Sequence, residues 1–141
     1  MEQTLTRRQA RENAFCAAFS ATFQPDAPQE ALDAQMEVGE LELDAFARKL
    51  LSDMMEHREE IDQMITAHLK GWTLSRVPRA SVAALRIALA EMLYGDEKKP
   101  SVAINEAVEL VKKYGADNDY QFVNGLLGTV AREQGAAPEE C

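Results

Sequence analysis

The chain has 141 residues, of which 46% are hydrophobic and 28% charged; the length suits one domain, and the composition excludes a disordered chain. No stretch approaches the roughly 20 uninterrupted apolar residues of a membrane-crossing helix. Glu2 and Glu12, close to Arg7, Arg8 and Arg11, argue against a transit peptide, so the sequence reads as cytoplasmic. The two cysteines, Cys16 and Cys141, make neither a disulfide framework nor a metal-ligand cluster.

A formal net charge of −9 counts against nucleic-acid binding, but its distribution is uneven. Residues 1–23 sum to +1, residues 24–68 to −9 and residues 69–141 to −1. The acid excess therefore sits in the middle, as a solvated face or a face for a basic partner, and leaves room for a basic patch from the outer segments.

Apolar residues recur at i, i+3, i+4 and i+7 along nearly the whole chain, and no segment alternates as a half-buried strand does, so the fold class is all-α. A first helix starts near Thr6, carries Ala14, Phe15, Ala18, Phe19 and Phe23 inward and ends at Gln24-Pro25. A short amphipathic helix through Ala31, Leu32, Met36 and Val38 stops at Gly39. The spacing of Phe46, Leu50, Leu51, Met54 and Met55 after Asp44 predicts a third helix. Ile61, Met64, Ile65 and Leu69 predict a fourth, offset at His57 to Glu60. Residues 72–81, with Pro78, connect to the most apolar helix, Val82 to Tyr94, whose two stripes call for neighbours on several sides. Pro100 opens the next helix and Gly115 caps it, with Glu109 and Lys113 as an outer i, i+4 pair. A last helix runs from about Asp117 or Asn118 to Glu133.

Catalytic signatures are missing from this pattern. His57 and His68 have no ligand partners at metal spacing, the GLLG at 125–128 lacks the lysine and strand of a phosphate loop, and Cys16 lies in an apolar run that suits an inert thiol. Arg7, Arg8 and Arg11 stand out because cations at a helix start oppose the helix dipole, which favours a compensating anion such as an RNA phosphate. At 100° per residue Arg7 and Arg11 share a side and Arg8 points about 100° away. Phe122 sits at the rim of the last helix's apolar stripe, placed to stack on a base, with Asn118 and Gln121 nearby as polar groups for base edges. The expectation is that these two helix starts form one cradle. Arg86 interrupts an apolar helix and calls for an interhelical ion pair, with Glu106 or Glu91 as its partner.

The blocks RRQARENAFCAAFS at 7–20, LRIALAEML at 85–93, PSVAINEAVELVKKYG at 100–115 and QFVNGLLGTVARE at 121–133 resemble the NusB transcription antitermination factor family. The resemblance runs nearly end to end and is weakest over residues 24–45. It implies a compact bundle of about seven helices in two subdomains, with no enzymatic activity, cofactor or metal. One helical domain would cover 1–134, divided near residue 71, with a flexible tail at 135–141. The implied role is binding of single-stranded boxA RNA in ribosomal RNA leader transcripts together with NusE, ribosomal protein ten of the small subunit. NusA, NusG and RNA polymerase join the larger complex, and some relatives form homodimers.

Carried over by position, the family's arginine arm falls on Arg7, Arg8 and Arg11, interrupted by Gln9, and its RNA-proximal aromatic on Phe122. Asn118 stands where a carboxylate is common, which lowers repulsion of RNA. Asn105 and Glu106 match a structural NE pair. The alternatives are the NusB-like domain of ribosomal RNA cytosine methyltransferases and a protein-only helical interaction module. The chain carries neither a glycine-rich cofactor strand nor a catalytic cysteine motif for the former.

Overall fold

A computed structural model describes residues 5–23, 30, 33–34, 42–96 and 99–134. The described residues form α1 (Arg7–Ala21), α2 (Ala45–Glu56), α3 (Arg58–Ala67), a 3-10 turn at Leu74–Arg76, α4 (Arg79–Tyr94), α5 (Pro100–Tyr114) and α6 (Asp119–Glu133). The apolar positions of the helix expected through Ala31 and Val38, and the tail from residue 135, lie outside the described residues.

Local signals set most boundaries. Thr6 caps α1 by accepting from the Gln9 amide at 3.0 Å, and the Gln9 side chain accepts from the Thr6 amide, a reciprocal capping box. Gln9 thus serves the backbone. Asp44 caps α2 through the Ala47 amide. The break between α2 and α3 falls at His57, whose ring stacks on Tyr94 with centroids 3.6 Å apart and bonds Glu60. The most apolar helix begins at Arg79, three residues earlier than the hydrophobic pattern predicts, because the extended backbone at Pro78 leads straight into the first turn. Pro100 occupies the first turn of α5 as expected.

α4 is the axis of the fold. It packs against α1, α2, α3, α5 and α6 and is buried on nearly every side, as its two apolar stripes require. Phe15, Leu51, Ile61, Ile65, Leu85, Leu89 and Leu127 are among the fully buried side chains around it.

Ion pairs fix how the helices register, and two of them correct the sequence-based expectation. Arg86 pairs with Asp62 of α3 through two bonds of 2.9 Å, and neither Glu106 nor Glu91 is its partner. Arg86 and Glu91 are five residues apart and hence about 140° apart around α4, so they face different neighbours. Glu91 turns to α1, where it binds the buried Arg11 at 2.9 and 2.7 Å. Glu106 accepts from Arg8 at 3.1 and 3.0 Å. Lys113 reaches Glu12 of α1 at 2.6 Å, while Glu109 sits 3.6 Å from Lys112, so the expected Glu109–Lys113 pair does not form.

These contacts carry two predictions. Arg11→Ala strands the Glu91 carboxylate in the core and should lower unfolding free energy by about 3–5 kcal/mol, and the exposed Arg8→Ala should lower it far less, as read by denaturant titration. The Lys113 ammonium and then the Tyr114 hydroxyl hold the Glu12 carboxyl below its ordinary value of 4.5. A depressed carboxyl stabilises the fold fully above its unfolded pKa and loses that contribution as pH falls through the folded one. The melting temperature of Glu12→Gln should therefore fall less steeply below about pH 4.5 than that of the unaltered chain; parallel acid limbs would exclude the clasp.

Candidate nucleic-acid interface

The three arginines at the start of α1 have three different environments. Arg11 is 9% exposed and committed to Glu91, which corrects its assignment as a phosphate contact. Arg8 keeps its side chain 69% exposed while paired with Glu106. Arg7 is exposed, has its guanidinium carbon over the Phe46 ring 4.2 Å from the centroid and has no carboxylate at ion-pair distance among the described residues. The expected division of faces holds, since the Arg7 and Arg11 guanidiniums both lie over Phe46, at 4.2 and 5.2 Å, and Arg8 turns to α5.

Around Arg7 opens a groove of about 370 Å³, lined by Arg11, Phe46, Lys49, Asp53, Glu91, Gly95, Asp96, Lys99 and Val102. Lys49 is held by Asp53 at 2.6 Å and lies 3.8 Å from Asp96. A guanidinium stacked on an aromatic face keeps its N–H edge open to a planar or tetrahedral oxyanion, and the ring limits its rotamers. In the sequence Phe46 reads only as a core position of its helix, and Lys49 and Lys99 carry no site signal. The period that marks Phe46 as core is the same one that lets a half-buried ring carry two guanidiniums on its outer side.

The residues at the start of α6 lie elsewhere. Asn118 precedes α6 with its side chain making no cap bond, Gln121 is exposed, and Phe122 is 38% exposed, as a rim aromatic should be. α1 and α5 run side by side in the same sense, with Arg8 at Glu106 and Glu12 at Lys113. α6 returns antiparallel: Tyr120 meets Lys112, and Arg132 shares a groove with Ser101. The Arg7 groove thus belongs to the Val102 end of α5, and Phe122 to the Gly115 end, about 20 Å along the helix. The two do not form the single cradle expected from the sequence. The aromatic that does face α5 is Tyr120, with the Lys112 ammonium 4.9 Å from its centroid; Phe122 is about 200° away around α6.

A family model described as the NusB family matches residues 8–132. The transcription antitermination protein NusB of Geobacillus kaustophilus is 42% identical over 126 residues, covering 89% of this chain and 95% of that protein. Among solved structures, T. maritima NusB superposes with a TM-score of 0.81 at 31% identity, covering 98% of this chain and 97% of that one. A crystal structure of antitermination factors NusB and NusE in complex with dsRNA superposes with a TM-score of 0.77 at 29% identity, covering 90% and 96%. With a helical fold built around α4 and relatives matched along almost their full length, the chain belongs to the NusB family.

Proposed function

We propose that this protein is a transcription antitermination factor that binds single-stranded boxA RNA of ribosomal RNA leader transcripts together with NusE, and that it acts by binding alone, without catalysis. NusA, NusG and RNA polymerase complete the assembly in this reading, and the protein works in the cytoplasm. No described helix is long and apolar enough to cross a membrane. Preference for an unpaired strand goes beyond the related complex of NusB and NusE, which holds double-stranded RNA. We further propose that residues 1–134 act as one domain, divided near residue 71.

The observation that carries this reading is Arg7, exposed, without a carboxylate at ion-pair distance among the described residues, and over the Phe46 ring beside a groove. Arg8 joins it by exchanging Glu106 for phosphate at the surface, where such pairs contribute little. Asn118, Gln121 and Phe122 contact a later stretch of the same strand, because the distance between the helix starts excludes one nucleotide from touching both.

The double change Arg7→Ala with Arg8→Ala should weaken boxA binding and flatten its salt dependence by about two phosphate contacts, roughly 0.7 of slope each for a single strand. An unchanged slope removes the arm from the interface. Phe122→Ala should cost about 1–3 kcal/mol on a strand long enough to reach α6, and nothing on an oligonucleotide that fills only the Arg7 groove. Equal losses on both lengths would show that Phe122 acts through folding.

A further inference from the structure

At the far end of α1 lies a second group of arginines that the proposed function does not use. The end of α1, the start of α3, the 3-10 turn and the start of α4 enclose a cleft of about 630 Å³. Among the described residues Arg58, Arg76, Arg79 and Arg86 line it, against a single carboxylate, Asp62. This local excess of positive charge sits in a chain of net charge −9.

Asp62 does not balance the group. Its two oxygens are taken by Arg86 at 2.9 Å each, the full capacity of one carboxylate for one guanidinium fork. Arg58 stands 4.0 Å from the same carboxylate, and its buried Nε–H has no acceptor among the described residues. Arg79 donates only to the Thr22 carbonyl, at 3.3 Å, and lies over the Phe23 ring at 4.7 Å. Arg76 has no carboxylate at ion-pair distance among the described residues, and it is exposed.

Position adds to the imbalance. Arg58 and Arg79 are the first residues of α3 and α4, where the helix dipole opposes a cation and favours an anion. Neither helix start has a side-chain cap, and Glu59 and Glu60 in the first turn of α3 answer part of its dipole, which leaves the start of α4 as the one without a carboxylate in its first turn. At the start of α1 the dipole cost of Arg8 and Arg11 is offset by carboxylates within the fold, whereas here, among the described residues, the Arg58 Nε–H has no acceptor, Arg79 has the Thr22 carbonyl alone and Arg76 has no carboxylate.

We propose that this cleft is a phosphate-binding site, separate from the Arg7 groove by the length of α1, about 20 Å. Both Asp62 oxygens are engaged by Arg86, and Arg58 stays 4.0 Å away, so one negative charge is shared between two guanidiniums. An excess of four guanidiniums over one carboxylate among the described residues suits the greater charge and extra acceptor oxygens of a phosphate monoester, a pyrophosphate or two successive phosphodiesters. The phosphate comes either from an RNA backbone or from a free phosphate compound. The site stands on its own geometry and does not require the antitermination reading.

The test is NMR titration of the arginine Nε–H signals of the full chain, at fixed ionic strength, with inorganic phosphate, pyrophosphate and acetate. Phosphate and pyrophosphate should shift Arg58, Arg76 and Arg79 saturably, acetate should not, and Arg86, held by Asp62, should stay still. Changing the exposed Arg76 and Arg79 together to Ala should leave the fold intact and weaken phosphate binding on the order of tenfold or more. RNA that moves the same signals identifies its backbone as the source; RNA that binds without moving them identifies a free phosphate compound. Shifts that never saturate, or equal saturation by acetate or an acidic peptide, overturn the proposal. Loss of RNA binding in the Arg7 and Arg8 variant with phosphate titration unchanged separates the two sites.

Discussion

The start of α1 places cations where the helix dipole opposes them, and the fold depends on how that opposition is met. Glu91 projects from the central helix into the core and binds Arg11 through both oxygens. A buried carboxylate and a buried guanidinium are each too costly to leave alone, so the pair forms only if α1 lies on α4 in one register. Ala10, Ala14, Ala17 and Ala18 are all buried, and their small side chains let the two backbones approach closely enough for that bond. Glu106 and Glu12 then tie the same helix to α5. The ionic contacts therefore do more to specify alignment than to add stability, because a well-packed apolar substitute at the Arg11–Glu91 position can hold the helices equally well.

With α1 locked in this way, three arginines of identical chemistry acquire different availability. Arg11 is withdrawn from solvent, Arg8 is lightly held, and Arg7 is left on the rim above Phe46. The gradient is a consequence of helical geometry: Arg7 and Arg11 share one side of α1, and the residue nearer the end of the helix is the one that escapes burial. A basic run at a helix start is thus not a set of equivalent phosphate contacts, and its binding charge is smaller than its count of arginines.

The sequence made the helices and their ends legible wherever the signal was local. The apolar stripes of α4, the cap at Asp44, the break at His57 and Pro100 in the first turn of α5 all follow from period and residue type. Thr6 and Gln9 were equally local, since Thr-x-x-Gln is a capping signature, yet Gln9 is easily taken for a flaw in a basic arm. Ion-pair partners were less legible because they depend on which flank of α4 each neighbour occupies. Nothing in the spacing of Arg86 and Asp62 distinguishes them from Arg86 and Glu106 until the helices are packed. The single cradle failed for the same reason. The start of α1 and the start of α6 both border α5, but one helix runs along it and the other against it, which carries Phe122 to the opposite end.

That separation changes what kind of ligand the surface can hold. A short base-and-phosphate unit cannot reach from the Arg7 groove to Phe122, whereas an extended strand can, and its stiffness sets how well the two contacts cooperate. The acidic body contributes to this selection. Charges distant from the basic sites repel a polyanion weakly and are screened beyond about 8 Å at physiological ionic strength, while the proposed contacts at Arg7 and Arg8 would be felt in full. A net charge of −9 is therefore compatible with the proposed phosphate recognition, which depends locally on which guanidiniums the packed helices leave exposed, and not on the sum over the chain.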